Sequence, residues 1–388
     1  MEINACVKYV GVNDHQVDLF EGQYKVPNGM AYNSYVILDE KIAVMDTVDG
    51  FFTEEWLNNV EQVLSGKTPD YLVIQHMEPD HSASIPAFLE KYPKATVVST
   101  AKGFQFMEQF FPEFFAGQGL PTEQRIVAAN DGVLELGQHS LHFVYAPMVH
   151  WPEVMMTYEA TEKILFAADG FGKFGALDVE EEWTDEARRY YIGIVGKYGP
   201  QVQAVLKKAA GLDIQTICSL HGPVLTENLG FYLEKYDQWS SYQPEESGVV
   251  IAYASVYGNT RNAAEYLADA LQEKGQKTVL YDLARCDKAK AVADAFRYDR
   301  LLLAGITYNG DLFPCMRSFI EGLTERNYQN RKVAIIENGT WAPMAGKLIQ
   351  GMFEKSKNLT FTETMVSIKS AMNAQNKEEI GKLAEELS

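Results

Sequence analysis

Residues 71–81 read Tyr71-Leu72-Val73-Ile74-Gln75-His76-Met77-Glu78-Pro79-Asp80-His81. The first four residues are hydrophobic and predict a β-strand, so the polar residues that follow lie at its carboxyl end. Four possible metal ligands, His76, Glu78, Asp80 and His81, fall within six residues. Alternate residues of an extended segment point to one side, and the adjacent Asp80-His81 pair can turn toward a second ion. The stretch therefore predicts a site for two metal ions at the edge of a sheet.

Three further candidate ligands lie at the ends of other predicted strands. His150 lies in the loop 148–152, Asp169 ends the apolar run 163–168, and His221 follows the run 214–220. A carboxylate has two oxygens, so Asp169 can bridge two cations. A set of ordinary buried polar residues on loops is the alternative. His15, His139 and His142 fall outside the pattern, and for them we expect surface or supporting roles.

Length and composition indicate an ordered globular protein of two domains. The chain has 388 residues, of which 46% are hydrophobic and 22% charged. That length exceeds the usual size of one hydrophobic core. No apolar run is long enough to span a membrane, and the first residues lack the blocks of a signal peptide, so we expect a cytoplasmic protein.

Charge and cysteine usage exclude some classes of partner and site. The net charge of -19 argues against nucleic acid or an anionic membrane as a partner, because both require clustered positive charge. The four cysteines, Cys6, Cys218, Cys286 and Cys315, form no C-x-x-C pair. They suggest neither a disulfide framework nor a thiolate metal site, and we expect buried free thiols.

The two halves of the chain have different strand patterns. Short apolar runs crowd the first half and predict a sheet-rich α/β domain over residues 1–247. The polar stretch 240–247 breaks the periodicity and is the predicted linker. Strands and helices then alternate regularly over residues 248–388, which predicts a doubly wound parallel sheet.

Three loops of the second domain predict a flavin site. They follow the predicted strands 249–254, 301–306 and 332–338 and therefore meet at the carboxyl edge of one parallel sheet, where ligands bind. The first loop is rich in hydroxyl groups and opens a helix, which suits a terminal phosphate, although an ordinary capping turn is the alternative. A G-x-G-x-x-G turn is absent, so FMN fits better than a dinucleotide. The predicted cofactor-binding residues are Ser255, Tyr257, Gly258, Asn259, Thr260, Thr307, Tyr308, Asn309, Gly310, Asn338, Gly339, Thr340 and Trp341. Tyr308 and Trp341 are the candidates for packing on the flavin ring.

The complete pattern resembles the flavodiiron proteins. The resemblance covers essentially the whole chain and rests on the ligand set His76, Glu78, Asp80, His81, His150, Asp169 and His221 together with the flavodoxin-like loops. It implies a metallo-β-lactamase-like αββα domain, a flavodoxin-like domain, two iron ions and FMN. Hydrolases of the first fold usually carry H-x-H-x-D-H. Glu78 in place of the middle histidine favours iron over zinc, because a hard oxygen donor suits iron better.

The resemblance implies an oxidoreductase that reduces O2 to water, NO to N2O, or both. It also implies an external electron donor, a rubredoxin-like protein or a reduced deazaflavin, and a head-to-tail homodimer or a dimer of dimers. A primarily nitric oxide reducing enzyme is the first alternative. A zinc hydrolase with a regulatory flavodoxin domain and a non-catalytic FMN electron carrier are the others.

Overall fold

The structure, a computed structural model, describes residues 3–117 and 120–388. The chain divides into two compact units. The first consists of Met1–Tyr191 and Pro200–Asp237, and the second of Ile192–Gly199 and Gln238–Ser388. No helix among the described residues combines the length and the apolar character needed to cross a membrane.

Two larger sheets and two short ribbons form the first unit. Its strands are β1 (Val7–Tyr9), β2 (Val12–Asp14), β3 (Leu19–Phe20), β4 (Tyr24–Lys25), β5 (Met30–Tyr32), β6 (Tyr35–Ile37), β7 (Ala43–Met45), β8 (Tyr71–Val73), β9 (Thr96–Ser99), β10 (Arg125–Val127), β11 (Val133–Glu135), β12 (Ser140–Tyr145), β13 (Met155–Glu159), β14 (Ile164–Phe166) and β15 (Thr216–Cys218). One sheet has the order β1-β6-β7-β8-β9-β10, and the other has the order β11-β12-β13-β14-β15. β2 pairs with β5, and β3 pairs with β4.

Helices connect these strands. They are α1 (Thr53–Leu64), α2 (Pro79–Ser82), α3 (Ile85–Lys91), α4 (Ala101–Phe110), α5 (Pro112–Gly117), α6 (Trp183–Tyr190), α7 (Gly199–Ala209) and α8 (Leu229–Ser240). In α1, Trp56, Val60 and Leu64 recur every four residues and form its buried face. Ser65, in the left-handed conformation, ends that helix.

The core of the first unit lies between its two sheets. Tyr35, Met45 and Val73 from one sheet pack in the same buried cluster as Phe143 and Phe166 from the other. Both faces that meet are apolar, so burial of the two sheets against each other stabilises the unit. The predicted metallo-β-lactamase-like fold is confirmed.

The second unit contains one sheet, which is parallel except for a short antiparallel strand at Asp311–Leu312. Its strands are β16 (Glu246–Tyr253), β17 (Thr278–Asp282), β18 (Tyr298–Tyr308), β19 (Asp311–Leu312), β20 (Arg331–Asn338), β21 (Leu359–Phe361) and β22 (Val366–Ile368), and its helices are α9 (Asn259–Glu273), α10 (Lys288–Arg297), α11 (Pro314–Thr324), α12 (Ala345–Met352) and α13 (Ala374–Glu386). The sheet order is β17-β16-β18-β20-β21, with β22 also pairing with β20. Strand order reverses between β16 and β18, as in a flavodoxin-like sheet. The predicted doubly wound fold is confirmed.

The second unit begins before the predicted linker ends. β16 starts at Glu246, and Arg331 donates from its guanidinium to the carbonyl of Tyr242, 2.7 Å away, so the stretch Gln238–Ser247 packs with this unit. Short 3₁₀ turns over Gly50–Phe52, Thr122–Gln124 and Gly196–Tyr198, and a π-helical segment over Tyr191–Val195, complete the described helices. The domain boundary at residue 247 stays a prediction.

Candidate metal centre and flavin pocket

The end of β8 positions four of the seven predicted ligands. His76 and Glu78 follow the strand, Glu78 with extended backbone, and α2 begins directly after them at Pro79. Proline suits the first position of a helix because its ring is preset for helical backbone and its missing N–H would be unpaired there. The helical turn carries Asp80 and His81 to a different side from His76 and Glu78. One short stretch thus supplies two groups of ligands.

The first group consists of His76, Glu78, His150 and Asp169. The Oε2 atom of Glu78 lies 3.2 Å from Nε2 of His76 and 3.0 Å from Nε2 of His150. The Oδ2 atom of Asp169 lies 3.3 Å from the same nitrogen of His76 and 3.0 Å from that of His150. Two imidazole nitrogens and two carboxylate oxygens therefore converge on one point.

The second group consists of Asp80, His81 and His221. The Nε2 atoms of the two histidines are 3.0 Å apart, and Oδ2 of Asp80 lies 3.3 Å from one and 3.4 Å from the other. The second oxygen of Asp169, Oδ1, is 3.4 Å from Nε2 of His81. Asp169 thus faces the first group with one oxygen and the second group with the other, as expected for a bridging carboxylate.

The residues present fit two cations. Asp169 is fully buried and Asp80 is 8% exposed, yet no described N–H or O–H group donates a well-aligned hydrogen bond to any of their four carboxylate oxygens. Buried carboxylates without such partners are costly unless a cation compensates them. Mixed imidazole and carboxylate donors suit iron. The donor set therefore matches a pair of iron ions.

The electrostatics of the cluster also match cation binding. Burial alone would raise the pKa of Asp169, but His76, His150 and His81 hold it well below its usual value. Burial opposes protonation of His150, yet Asp169 and Glu78 raise its pKa to about 9. Asp169 therefore stays ionised while His150 holds a proton in the metal-free protein. Metal ions would replace such protons, because a histidine must be neutral to ligate.

Hydrogen bonds to Nδ1 fix the orientation of two of the ligands, His76 and His221. Glu153 is buried, and its Oε1 accepts from Nδ1 of His76 at 2.8 Å and from the backbone N–H of Met77 at 2.9 Å. The Nδ1 atom of His221 donates to the carbonyl of Ala31 at 2.8 Å. Each bond leaves Nε2 facing the cluster. Sequence reasoning missed Glu153, because its position next to the predicted ligand loop does not show which ligand it contacts.

Aromatic rings surround the histidines. Trp151 meets the ring of His76 edge-on, with centroids 5.3 Å apart, and Phe20 meets that of His221 in the same way at 5.4 Å. Tyr190 lies 5.4 Å from the ring of His221. These rings pack the imidazoles in place and limit water around them.

The three predicted flavin loops of the second unit surround one cavity of about 490 Å³, a size typical of cofactor sites. Twelve of the thirteen predicted residues line it, all except Gly258. Gly258 instead precedes α9 with a positive φ of 92°, and its N–H donates to the hydroxyl of Ser255 at 3.1 Å. Its positive φ shapes the loop that leads into the first turn of α9, where backbone N–H groups have no partner within the helix.

Hydrogen bonds join the loops to one another. Asn338 donates to the hydroxyl of Thr260 at 3.3 Å and to the carbonyl of Ser370 at 2.9 Å. The Thr307 hydroxyl accepts from the backbone N–H of Met344 at 2.8 Å. Sequence reasoning missed five lining residues, because small or apolar positions carry no signal for a ligand: Val256, Ile306, Ala342, Met344 and Ser370.

The rim of this cavity carries exposed aromatic side chains. Tyr257 is 93% exposed, Trp341 82% and Tyr308 48%. Exposed rings beside an open cavity are what a planar ligand would cover. The size and lining of the cavity therefore fit FMN.

The chain is similar to known proteins over both of its units. A family model described as "ODP family beta lactamase" matches residues 30–222, and one described as a flavodoxin domain matches residues 250–366. A nitric oxide reductase of Moorella thermoacetica is 28% identical over 92% of this chain and 90% of its own length. Rubredoxin oxygen:oxidoreductase from Desulfovibrio gigas is 25% identical with a TM-score of 0.92, over 100% of this chain and 97% of its own. The flavodiiron protein of Giardia intestinalis is 25% identical with a TM-score of 0.91, over 100% and 96%.

The chain belongs to the flavodiiron protein family. Members of this family carry a non-haem iron pair and FMN, so the metal centre and the flavin pocket serve the same reaction. The histidines outside the predicted ligand set are placed elsewhere. His15 is exposed beside Asp178, and His142 lies half-buried in β12. His139 is buried beside Asp39 and belongs to neither ligand group.

Proposed function

We propose that this flavodiiron protein is an oxidoreductase that reduces O2 to water at a di-iron site supplied with electrons by FMN. The observation that carries the proposal is the position of Asp169 between two groups of buried imidazole and carboxylate donors. The zinc hydrolase alternative is not favoured, because Glu78 takes the place of a histidine and a flavin-sized cavity lies in the same chain.

The two cofactors together match the electron demand of the reaction. When bound, an iron pair and FMN would each supply two electrons, and reduction of O2 to water requires four. The seven residues His76, Glu78, Asp80, His81, His150, Asp169 and His221 are the proposed ligands. Of these, Asp169 would hold both ions.

The protein itself orients the metal ligands and keeps bulk water away from them. Glu153 holds Nδ1 of His76, and the Ala31 carbonyl holds Nδ1 of His221, so that each ring presents Nε2 without an entropic cost at the moment of binding. The rings of Phe20, Trp151 and Tyr190 exclude bulk water. In such surroundings, charge that develops on a small substrate interacts strongly with the site.

Tyr190 is a proton-bearing group close to the ligands. It is buried, and burial together with the carboxylates of Asp169 and Glu78 raises the pKa of its phenol well above its usual value. The hydroxyl therefore remains protonated at neutral pH. A neutral phenol near the cluster adds no further negative charge to a site that already contains three carboxylates.

The electron supply involves partners. We propose a separate donor, a rubredoxin-like protein or a reduced deazaflavin. The name of the Desulfovibrio gigas protein, which pairs rubredoxin with oxygen, supports the first. We also propose a head-to-tail homodimer, or a dimer of dimers, in which the FMN of one chain serves the metal pair of another. Size-exclusion chromatography that finds only an active monomer would overturn this assembly. A cytoplasmic location stays a prediction.

Reduction of NO to N2O is the second candidate function. It is favoured by the Moorella thermoacetica relative, which is named a nitric oxide reductase. O2 and NO are of similar size and both uncharged, so no residue of the cluster separates them by size or charge.

The deciding experiment compares the two substrates under the same reductant. Protein first shown to contain iron and FMN is reduced anaerobically with one chemical reductant and is then given either O2 or NO. Consumption of the gas and formation of peroxide and N2O are measured. Faster O2 consumption without peroxide release supports the proposal. Faster NO consumption with N2O as product transfers the function to the second candidate. If protein loaded with iron and FMN consumes neither gas, both candidate functions are wrong.

A further inference from the structure

Three segments of the first unit converge at a point distinct from the two ligand groups. Cys6 immediately precedes β1, His139 lies in the turn between β11 and β12, and Glu162 lies in the turn between β13 and β14. One possible ligand atom of each residue lies within 4.8 Å of those of the other two. The three side chains combine a thiol, an imidazole and a carboxylate.

His139 is oriented as a metal-ligating histidine is. Its Nδ1 lies 2.9 Å from Oδ2 of Asp39, which also accepts from the His139 backbone N–H at 2.7 Å. Both side chains are 5% exposed. Burial works against ionisation of Asp39, but these bonds from His139 lower its pKa, so the carboxylate stays charged and fixes the tautomer.

The other ring nitrogen of His139 lacks a partner. Its Nε2 is buried, and no described residue forms a hydrogen bond with it. It faces Glu162, whose Oε1 is 3.9 Å away and beyond hydrogen-bonding distance. A buried nitrogen lone pair without a donor costs free energy. The buried imidazole thus points its free atom at the thiol and the carboxylate.

We propose that Cys6, His139 and Glu162 form a further metal site that binds one zinc ion, with Asp39 as the outer partner of His139. Thiolate, imidazole and carboxylate are the three protein donors that Zn²⁺ takes, and a water molecule completes its tetrahedron. Among divalent ions, Zn²⁺ tolerates this mixture of soft and hard ligands better than Mg²⁺ or Ca²⁺. The site is separate from the di-iron ligands and does not depend on the proposed activity.

The surrounding hydrogen bonds hold the three segments together. Asn4 accepts from the backbone N–H of Cys6 at 2.8 Å and donates to Oε2 of Glu162 at 3.2 Å. The hydroxyl of Thr161 donates to the carbonyl of Gln138 at 2.9 Å, which joins the two turns. Bonds of roughly 2.0–2.3 Å to zinc require the donors to draw closer. The side chain of Glu162, 38% exposed, has the freedom to do so and opens a path for the ion.

The test titrates the loaded holoenzyme with Co²⁺ and then with Zn²⁺. Co²⁺ bound by a thiolate gives a near-ultraviolet charge-transfer band, and Zn²⁺ abolishes the band as it displaces Co²⁺. The variants are Cys6→Ser, Glu162→Gln and Asp39→Asn, and the matched control is Cys286→Ser, which removes another partly exposed thiol in the second unit. Filled iron sites keep the di-iron ligands out of the measurement.

We expect the band in the natural protein and in Cys286→Ser, and no band in Cys6→Ser. Asp39→Asn should weaken zinc binding by about 10- to 100-fold, the range for an outer partner of a ligating histidine. Glu162→Gln should weaken it as well without changing the thiolate band at saturation. A band that survives Cys6→Ser, or its absence from the natural protein, would overturn the site. Cys6 and Glu162 are partly exposed, so these variants should fold.

Discussion

The two cofactor sites of this chain are built in opposite ways. The candidate metal centre is enclosed, since six of its seven ligands are at most 8% exposed and Glu78 is 14% exposed at its side chain. Its donors are imidazole and carboxylate side chains, and two of the imidazoles, those of His76 and His221, already have a hydrogen-bond partner on Nδ1. The flavin pocket is open, with Tyr257 and Trp341 more than four-fifths exposed, and much of its lining comes from loop residues. Binding of the metal ions therefore depends on a few charged atoms, whereas binding of FMN depends on many weak contacts.

This contrast predicts that single substitutions greatly reduce metal binding at the metal centre but only slightly reduce FMN binding at the flavin pocket. Removing one buried charge from a network leaves others uncompensated, so the effect is large. Removing one ring from an open rim forfeits only its own packing. Four predictions test or refine the contrast, in decreasing order of expected effect.

Asp169→Asn should produce the largest loss. The amide offers one acceptor oxygen instead of two anionic ones, so it cannot bridge two ions. We expect at least one iron ion per chain to be lost, and O2 turnover to fall by more than about a hundredfold, beyond the effect of removing an outer partner. Iron analysis and oxygen-electrode assays measure both, with Asp178→Asn, an exposed aspartate of the same unit, as control. Full iron content in the Asp169 variant would contradict the bridging role.

Glu153→Gln should come second. The variant keeps the shape of the side chain but weakens the hydrogen bond that orients His76, so iron affinity should fall by about 10- to 100-fold. Competition with a chromophoric chelator gives the affinity. Glu159→Gln is the matched control, because Glu159 is also buried in this unit but accepts hydrogen bonds from a turn, at the N–H groups of Thr161 and Glu162. Equal losses in both variants would indicate a general effect on stability.

Iron binding should depend on pH. The carboxylates raise the pKa of His150 to about 9 in the metal-free protein, so below that pH a proton competes with the metal for Nε2. Apparent iron affinity should therefore increase as the pH rises from about 6.5 to 9 and then level, with protons released on binding. Calorimetry in buffers of different ionisation enthalpy counts those protons. Affinity that is constant over this interval would show that His150 is neutral before the metal arrives.

Replacing the flavin-pocket rings should have the smallest effect. Trp341→Ala and Tyr308→Ala each remove one aromatic contact, worth about 0.5–1.5 kcal/mol, so FMN affinity should fall by roughly two- to tenfold. Fluorescence titration of the FMN-depleted protein gives the dissociation constant. Tyr266→Ala, on α9 and away from the cavity lining, is the control. A loss as large as that of Asp169→Asn would remove the contrast between the sites.

The same contrast explains what could be predicted from the sequence. The metal ligands were readable because only a few residue types bind iron and because strand ends meet at one edge of a sheet. The doubly wound sheet of the second domain followed from strand spacing, whereas the αββα fold of the first followed from the family resemblance. Glu153 and the carbonyl of Ala31 were not found, because support of a ligand depends on tertiary contacts rather than on residue type. Ile306, Ala342 and Met344 line the flavin cavity through their position alone, and their residue types are common in any core.

The cluster of Cys6, His139 and Glu162 could not be predicted from the sequence. Cys6 and His139 are 133 residues apart by their numbers and share no motif, so they were expected to be a buried free thiol and a surface or supporting histidine. Cys6 is in fact only partly buried. Their approach arises from the pairing of β1 with β6 and from two hairpin turns. Contacts of that range are set by topology and leave no local pattern.

The most direct test of the account is the electron balance of a single turnover. Protein loaded with iron and FMN is fully reduced without oxygen, mixed with limiting O2, and followed by flavin absorbance, iron spectroscopy and a peroxide assay. We expect flavin and iron to be oxidised together, with four electrons transferred per O2 and no peroxide formed. Oxidation of the flavin alone to give peroxide, while the iron remains reduced, would contradict it.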